Sequence, residues 1–155
     1  MGTTVMYTRE LQKKDFNAFY ELLLKSFAEK GLMDTTFDRE QVNVEARRCI
    51  IALDHSVIGL FADDVLKGFA IIMYAQEVYN KDQYIQIDMI HTDVDYRRDI
   101  HLQRLIEQIK VLAEQNNCSK IKITNKNLQS DQSVKDLIYI HNQFFQTDQI
   151  WEVQL

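Results

Sequence analysis

The chain has 155 residues, a length that suits one domain built around one contiguous core. Its residues are 46% hydrophobic and 26% charged, which is typical of a globular protein and argues against disorder. The net charge of −5 comes from interspersed signs, which excludes the basic stripe of a nucleic-acid binder. The acidic surplus favours solubility, and it would also attract a cationic substrate. No run approaches the ~18 apolar residues of a membrane span.

Cysteine usage and the N-terminus both bear on the cellular compartment. The two cysteines, Cys49 and Cys118, lie far apart in apolar surroundings, which indicates buried free thiols in a reducing cytosol. The segment Met1–Met6 lacks the charged-then-apolar pattern of a signal peptide. Together with the absence of linkers and repeats, these features predict a cytoplasmic protein with a single domain over residues 1–155.

The first half of the chain predicts a strand, two helices and a hairpin. Gly31 stands where a left-handed C-cap would end the first helix, and Thr35 with Asp38 resembles a capping box before the second. Asp63 and Asp64 form the hairpin turn. From the spacing of apolar residues, the elements are expected at Val5–Arg9, Lys13–Lys30, about Phe37–Leu53, and Val57–Ala62 with Val65–Ala75.

The second half alternates strands and helices, which predicts a parallel crossover in a mixed sheet with helices on both faces. Alternation in its first strand places Ile85, Ile87 and Met89 on one face, and Gln86, Asp88 and Ile90 on the other. The complete order is β-α-α-β-β-β-α-β-α-β, an α/β fold. The elements are expected at Tyr84–Thr92, Ile100 or Leu102 to about Asn116, Lys120–Thr124, about Gln132–Phe144, and Ile150–Leu155.

Four segments in this order carry a resemblance to a known family. They are Asp64–Ile71 with its internal glycine, Ile87–Thr92 followed by Asp95–Arg98, Ala113–Ile123, and Tyr139 followed by Phe144. Their order and local sequences resemble the GNAT superfamily of acyl-CoA-dependent N-acyltransferases over nearly the whole chain. The resemblance implies transfer of an acyl group from acetyl-CoA or another acyl-CoA to an amine of a small molecule or a protein.

The resemblance also assigns the cofactor site. Backbone groups of Ile90, His91 and Thr92 would pair with the pantetheine arm, and an N–H there would polarise the thioester carbonyl. The pyrophosphate would rest on the amides at the start of the central helix, where orphan N–H groups and the helix dipole favour an anion. The corresponding loop is Arg97-Arg98-Asp99-Ile100-His101-Leu102.

The loop departs from the family pattern, which is Gln or Arg, two residues, Gly, one residue, and Gly or Ala. Here Arg97 fits, but Ile100 and Leu102 stand at the glycine positions, and isoleucine resists a positive φ. Asp99 is expected to cap the free amides with its own carboxylate. The alternative to a cofactor loop is therefore a capped core helix with Ile100 and Leu102 packed inward.

Two residues correspond to the catalytic positions of the family. Asp88 stands where many members carry a catalytic glutamate, so it would be the general base, and Tyr139 would be the general acid for the departing thiolate. The alternatives are a hydrogen-bonded aspartate and a packed tyrosine. His91 is interpreted as a core or rim histidine. His55, His101 and His141 lack partners at metal-ligand spacing, so no metal site is predicted.

Two functions stay open from the sequence. The first is a GNAT-type N-acyltransferase, favoured by Asp88 and Tyr139. The second is a catalytically degenerate binding or regulatory module of the same fold, favoured by the bulky loop residues. An exposed last strand, Ile150–Leu155, would allow a homodimer by strand pairing.

Overall fold

The structure is a computed structural model that describes residues 3–124, 145–147 and 150–155. Its helices and strands follow the predicted order, with one short strand, β6, that the sequence did not indicate. The predicted helix at Gln132–Phe144, which contains Tyr139, lies outside the described residues. The elements are β1 Met6–Glu10, α1 Phe16–Glu29, α2 Arg39–Ile51, β2 His55–Ala62, β3 Val65–Gln76, β4 Gln83–Thr92, α3 Asp99–Gln115, β5 Lys120–Thr124, β6 Phe145–Thr147 and β7 Ile150–Gln154.

All strands belong to one mixed sheet in the order β1-β2-β3-β4-β5-β7-β6. Only the β4–β5 pair is parallel among the described strands, as the crossover through α3 requires. The strand β7 pairs with β5 on one side and with β6 on the other. The expectation of an exposed last strand is therefore wrong, because β6 covers that edge; a homodimer stays a prediction without this basis.

Local signals explain where several elements begin and end. Gly31 has a φ of +69°, so the predicted left-handed end of α1 is confirmed. The N-cap of α2 is Asp38, whose side chain accepts a hydrogen bond from the Gln41 N–H, so the capping box with Thr35 is wrong. In the β2–β3 turn, Asp63 and Asp64 both have positive φ, at 48° and 65°. That conformation matches the twist of a two-residue hairpin.

The sheet divides the hydrophobic core into two layers, rather than the one contiguous core expected. Helix α3 covers one face, and α1 with α2 covers the other. The predicted buried cysteines are confirmed, one on each face and both free. The α3 layer is centred on Ile58, Leu60, Ile85, Ile87, Leu105, Ile106 and Ile109. The α1–α2 layer is centred on Phe19, Leu23, Ala46, Val57, Phe69 and Met89.

A bulge in β4 changes which residues share a face. Ile71 of β3 pairs with Met89, but Ile72 pairs with Ile87, so Asp88 is an extra residue without a cross-strand partner. Beyond the bulge the alternation is reversed: Met89 joins the α1–α2 layer, and Ile90 joins the α3 layer. The prediction that Met89 shares a face with Ile87 is wrong, because one inserted residue exchanges the two faces.

In the part of the chain that the structure describes, no helix is both long enough and apolar enough to cross a bilayer.

Candidate functional site

The strands β4 and β5 part in the middle of the sheet. Their pairing covers Tyr84–Ile87 and Lys120–Ile123 and stops there, although β4 continues to Thr92. The Asp93 N–H donates to the Lys67 carbonyl at 2.7 Å, so the alternation of the ladder turns the N–H and C=O groups of Ile90 and Thr92 away from β3. They face an edge that no described strand pairs with. The end of β4 is therefore a half-open strand.

Two ion pairs tie α1 to the end of this strand. The Lys25 ammonium lies 2.7 Å from Asp93 and lowers the pKa of that carboxyl. The Arg97 guanidinium pairs with Glu29 through Nη2 and donates from Nε to the Thr92 carbonyl at 3.3 Å. Arg97, predicted as a phosphate ligand, is thus already bonded within the protein, and the Thr92 carbonyl is occupied.

The start of α3 leaves backbone amides without partners. Arg98 is the N-cap and contributes no side-chain cap, while Asp99 is the first helical residue. The amides of His101 and Leu102 both bond to the Arg98 carbonyl, at 3.0 and 3.5 Å, but those of Asp99 and Ile100 find no partner among the described residues. The prediction that Asp99 caps the amides is wrong, because its carboxylate stands inside the first turn rather than before it.

The two bulky loop residues behave differently from each other. Leu102 is 2% exposed and packs into the α3 layer, as the core-helix alternative predicts. Ile100 is 57% exposed, so its predicted inward packing is wrong. Neither residue has a positive φ. The glycine positions of the family therefore need no unusual backbone here, and the effect of Ile100 is confined to the space its side chain takes beside the free amides.

Buried polar atoms without partners lie before and within the loop Arg97–Leu102. Within the described ranges they are His91 Nε2, Thr92 Oγ1 and His101 Nδ1. The His91 ring packs against Phe69 at 5.7 Å between centroids, which confirms the predicted core histidine, and burial lowers its pKa to about 4. Burial also lowers the pKa of His101, whose ring meets Tyr96 edge-on. Such groups are normally satisfied by a ligand or water.

The bulge residue Asp88 lies on the opposite face from α3. Its Oδ1 accepts a hydrogen bond of 3.0 Å from Gln86 Nε2, and its Oδ2 lies 3.7 Å from His55 Nε2. The His55 Nδ1 in turn lies 2.9 Å from the Asp54 carboxylate. Asp88 keeps 32% of its side chain exposed, so its carboxylate can be reached from solvent.

Sequence reasoning considered His55 only as a metal ligand and missed this contact. No local pattern signals it, because His55 opens β2 whereas Asp88 lies in β4, more than thirty residues later in the chain. Over the described ranges, no three His, Cys, Asp or Glu side chains are grouped so that they could hold a metal ion.

Whether an acyl-CoA fits the gap between β4 and β5 depends on the groups that line it. The donor set is a half-open strand edge, followed by free amides at the N-terminus of a long helix, and it suits an extended molecule with an anionic group at one end. Ile100, beside those amides, is exposed, so core packing does not fix its side chain over them. The residues present therefore fit such a group.

A mixed sheet with a bulged fourth strand that parts from the fifth, and a helix beginning at the gap, defines the GNAT acyltransferase class of folds. The chain has this fold. A predicted acetyltransferase from Clostridium acetobutylicum, solved with acetyl-CoA, superposes with a TM-score of 0.74 over 93% of this chain and 92% of that one, at 14% identity. The aminoglycoside N-acetyltransferase AAC(6')-Iy, solved with a bisubstrate analogue, gives 0.72 over 93% of each chain, also at 14% identity.

A third solved structure, the ribosomal-protein-alanine N-acetyltransferase of Brucella melitensis biovar Abortus 2308, gives a TM-score of 0.64 over 77% of this chain and 79% of that one, at 20% identity. No model of a protein family and no curated protein matches the sequence. At these identities the similarity establishes the fold, and the function has to be argued from the site.

Proposed function

We propose that the protein is an N-acyltransferase that moves an acetyl or other acyl group from CoA to a primary amine by direct attack. Two observations carry this proposal: the half-open end of β4, from the Asp88 bulge to Thr92, and the uncapped start of α3, which follows it after the segment 93–98. This part of the chain thus presents a carboxylate at the bulge, an open strand edge beyond it, and unpaired backbone donors at the start of the next helix.

The cofactor would lie along this path. The pantetheine arm would pair with the open edge at Ile90, His91 and Thr92, chiefly through the Ile90 amide and carbonyl. The pyrophosphate would rest on the free amides of Asp99 and Ile100, since Arg97 is engaged by Glu29. The remaining loop residues Arg98, His101 and Leu102 would border the phosphates, with Arg98 adding positive charge from the surface and Leu102 holding the helix in the core.

The chemistry needs a base and an acid. Asp88 would accept a proton from the acceptor ammonium, through one water because aspartate is short, and the free amine would attack the acyl carbon. A C–N bond forms and the C–S bond breaks. The departing thiolate would take its proton from Tyr139, which lies outside the described residues. The second proton that the attacking nitrogen loses on becoming an amide would return to Tyr139 through water, so that the acid is restored.

The acceptor is proposed to be a primary amine on a small molecule or a protein. Two of the similar structures, an acetyltransferase solved with sisomicin and AAC(6')-Iy, act on aminoglycosides, which supports a small polyamine as the first class to test. The buried free cysteines support a cytoplasmic location.

Binding of acetyl-CoA is the direct test. Thermal or urea unfolding of the whole chain should show a stabilisation of about 2.7 kcal/mol at an acetyl-CoA concentration 100 times Kd. The Asp88→Asn variant should show the same stabilisation, because Asp88 serves the acceptor and not the cofactor. Absence of any stabilisation at millimolar acetyl-CoA would contradict the proposal.

A non-catalytic binding or regulatory module is the second candidate, and two observations favour it. The Ile100 side chain stands beside the free amides, and Arg97 is paired with Glu29 rather than exposed to a phosphate. In this case the parent would not bind acetyl-CoA, and Ile100→Gly would create binding. The matched control is Val111→Gly, which removes another exposed apolar side chain from α3 and likewise adds a helical glycine, at a cost below about 1 kcal/mol.

Leu102 is left unchanged in this experiment because it is a core residue. Truncating a buried leucine costs about 2–5 kcal/mol and would obscure any change in binding. If neither the parent nor Ile100→Gly binds acetyl-CoA, the loop side chain is not what prevents binding.

A further inference from the structure

The imidazole of His55 lies between two carboxylates from different parts of the chain. Its Nδ1 is 2.9 Å from Asp54 Oδ1, and its Nε2 is 3.7 Å from Asp88 Oδ2. The His55 side chain is only 5% exposed, whereas Asp54 is 62% exposed and Asp88 is 32% exposed. A buried ring thus connects the proposed base to a carboxylate at the surface.

The sheet register explains how this contact arises. His55 of β2 pairs with Met73 of β3, and Met73 pairs with Gln86 of β4, so His55 and Gln86 belong to one row across three strands. Gln86 holds Asp88 Oδ1 at 3.0 Å, while His55 approaches Oδ2. Both carboxylate oxygens of Asp88 are therefore oriented by neighbours in the same row.

The position of the ring is set from the other side as well. The His55 amide bonds to the Ala52 carbonyl at 3.2 Å, and the Asp54 carbonyl accepts the Tyr74 amide at 2.8 Å, so the turn before β2 is held on the sheet. With a proton on Nδ1 in the contact to Asp54, Nε2 carries its lone pair toward Asp88.

Helix α2 supplies the other polar groups near this row. The charge of Asp88 acts on Cys49, but burial first raises the pKa of that thiol to about 11, so it stays protonated. Arg48 pairs with Glu45 at 3.0 Å and lies close enough to Asp54 to help lower the pKa of that carboxyl, after the larger effect of the His55 hydrogen bond. Neither group separates His55 from Asp88.

We propose that His55 is a positioning residue for Asp88 and the exit for the proton that Asp88 removes from the acceptor; this rests on the proposed acyltransferase function. The proton on Asp88 Oδ2 passes to His55 Nε2, the Nδ1 proton passes to Asp54 Oδ1, and Asp54 releases it to water. Asp88 returns to its charged form, and no other atom is gained or lost. After the product leaves, His55 returns to its starting tautomer: Nε2 gives its proton back through the uncovered Asp88 to water, and Nδ1 regains one through Asp54.

Such an exit is useful because the exposed part of Asp88 is covered once an acceptor binds. An acceptor that reaches this carboxylate covers the surface through which it meets water. The path through His55 leaves from the opposite side, so Asp88 can be reset while the site is occupied. The 3.7 Å separation must shorten for direct transfer, as catalytic hydrogen bonds often do on substrate binding.

The test compares acyl transfer by the parent, His55→Gln, His55→Ala and Asp88→Asn, using acetyl-CoA with sisomicin or spermidine and following thiol release. Asp88→Asn should lose about 10²–10⁴-fold in kcat, the usual range for a general base. His55→Gln should lose at least ~10-fold in kcat, with the KM for acetyl-CoA changed less than ~2-fold. Added imidazole should restore part of the rate to His55→Ala, whose missing ring leaves room for it, but not to His55→Gln.

The matched control is Ser56→Ala, which alters the adjacent residue of β2 by removing its bond to Glu10. This variant should keep the parent kcat even if its stability falls. If His55→Ala does not fold, His55→Gln carries the comparison.

The outcomes separate the two proposals. A parent that releases no thiol with either amine and does not bind acetyl-CoA overturns the proposed function, and the proton exit with it. An active parent with His55→Gln at parental kcat overturns the exit alone. Equal losses of kcat in His55→Gln and Ser56→Ala also overturn the proton exit, because a loosened strand β2 would then explain both.

Discussion

At the end of β4, individual polar side chains are buried without protein partners. His91 is 1% exposed and Thr92 is fully buried, yet His91 Nε2 and Thr92 Oγ1 make no hydrogen bond within the described residues. An unsatisfied buried group costs about 1–3 kcal/mol. Both side chains lie next to the open edge at Ile90, where a polar ligand would supply the missing hydrogen bonds. Without such a ligand, these two residues carry part of the free-energy cost of keeping the site open.

His91 makes stability depend on pH in a defined window. Burial lowers the pKa of its imidazole from 6.5 to about 4. Below pH 6.5 the imidazole binds a proton in the unfolded chain but not in the folded protein. The free energy of unfolding therefore falls as the pH falls toward 4, and His91 does not affect it above pH 6.5. The full change is about 3 kcal/mol at ~1.4 kcal/mol for each pKa unit.

The prediction is tested by urea unfolding of the parent and His91→Leu at pH 4.5 and pH 7. Acidic groups such as Asp15 and Asp93 also titrate in acid, but they do so in both proteins and cancel in the difference. The unfolding free energy of the parent minus that of His91→Leu should be smaller at pH 4.5 than at pH 7. A difference in unfolding free energy that is the same at both pH values would contradict this account.

At the scale of the element, the close packing of β3 on the end of β4 controls the open edge. A Cβ on Gly68 would lie 3.0 Å from the His91 carbonyl oxygen and 3.1 Å from Thr92 Cγ2. Glycine is therefore favoured at this position by the lack of space for a side chain and not by φ. It is the glycine that the sequence places near the start of the third strand.

Replacing Gly68 with alanine should push the end of β4 outward by a few tenths of an ångström. We expect Gly68→Ala to cost about 1–3 kcal/mol, as overpacking does, and to weaken acetyl-CoA binding by moving the Thr92 backbone. Denaturant unfolding and calorimetric titration measure the two effects separately.

The control is Gly31→Ala. Nothing lies within 4 Å of the added Cβ, but the φ of +69° makes alanine unfavourable by about 1–2 kcal/mol. It should lose stability without any change in acetyl-CoA affinity. If Gly68→Ala binds acetyl-CoA as tightly as the parent, the end of β4 does not hold the cofactor.

The whole molecule brings the candidate site together at the middle of the sheet, where its two layers meet. The α3 layer anchors the first turn of α3 through Leu102, and the α1–α2 layer surrounds Met89 and His91 on the opposite face. Ion pairs from α1 to Asp93 and Arg97 join the two layers at the gap. Binding at this gap would therefore act on both halves of the core.

The candidate site was only partly predictable from the sequence. The position of Asp88 beside Gln86 followed from strand alternation, and the loop at the start of α3 followed from the strand-to-helix change. The state of that loop did not follow: Asp99 lies one position too late to cap, Ile100 faces solvent, and Arg97 is bonded to Glu29. These outcomes depend on which neighbours the fold brings near, and no nearby residue encodes them.

The sequence by itself determined the type and order of the described elements other than β6, because helices and strands impose periods of 3.6 and 2 on the apolar residues of a local segment. It thereby placed the hairpin at Asp63 and Asp64 and the buried stripe of α3. Only the tertiary structure decided the bulge that exchanges Met89 and Ile90, the position of β7 between β5 and β6, and the meeting of His55 with Asp88. Register and strand order depend on contacts between distant segments, and such contacts leave no period in a local pattern.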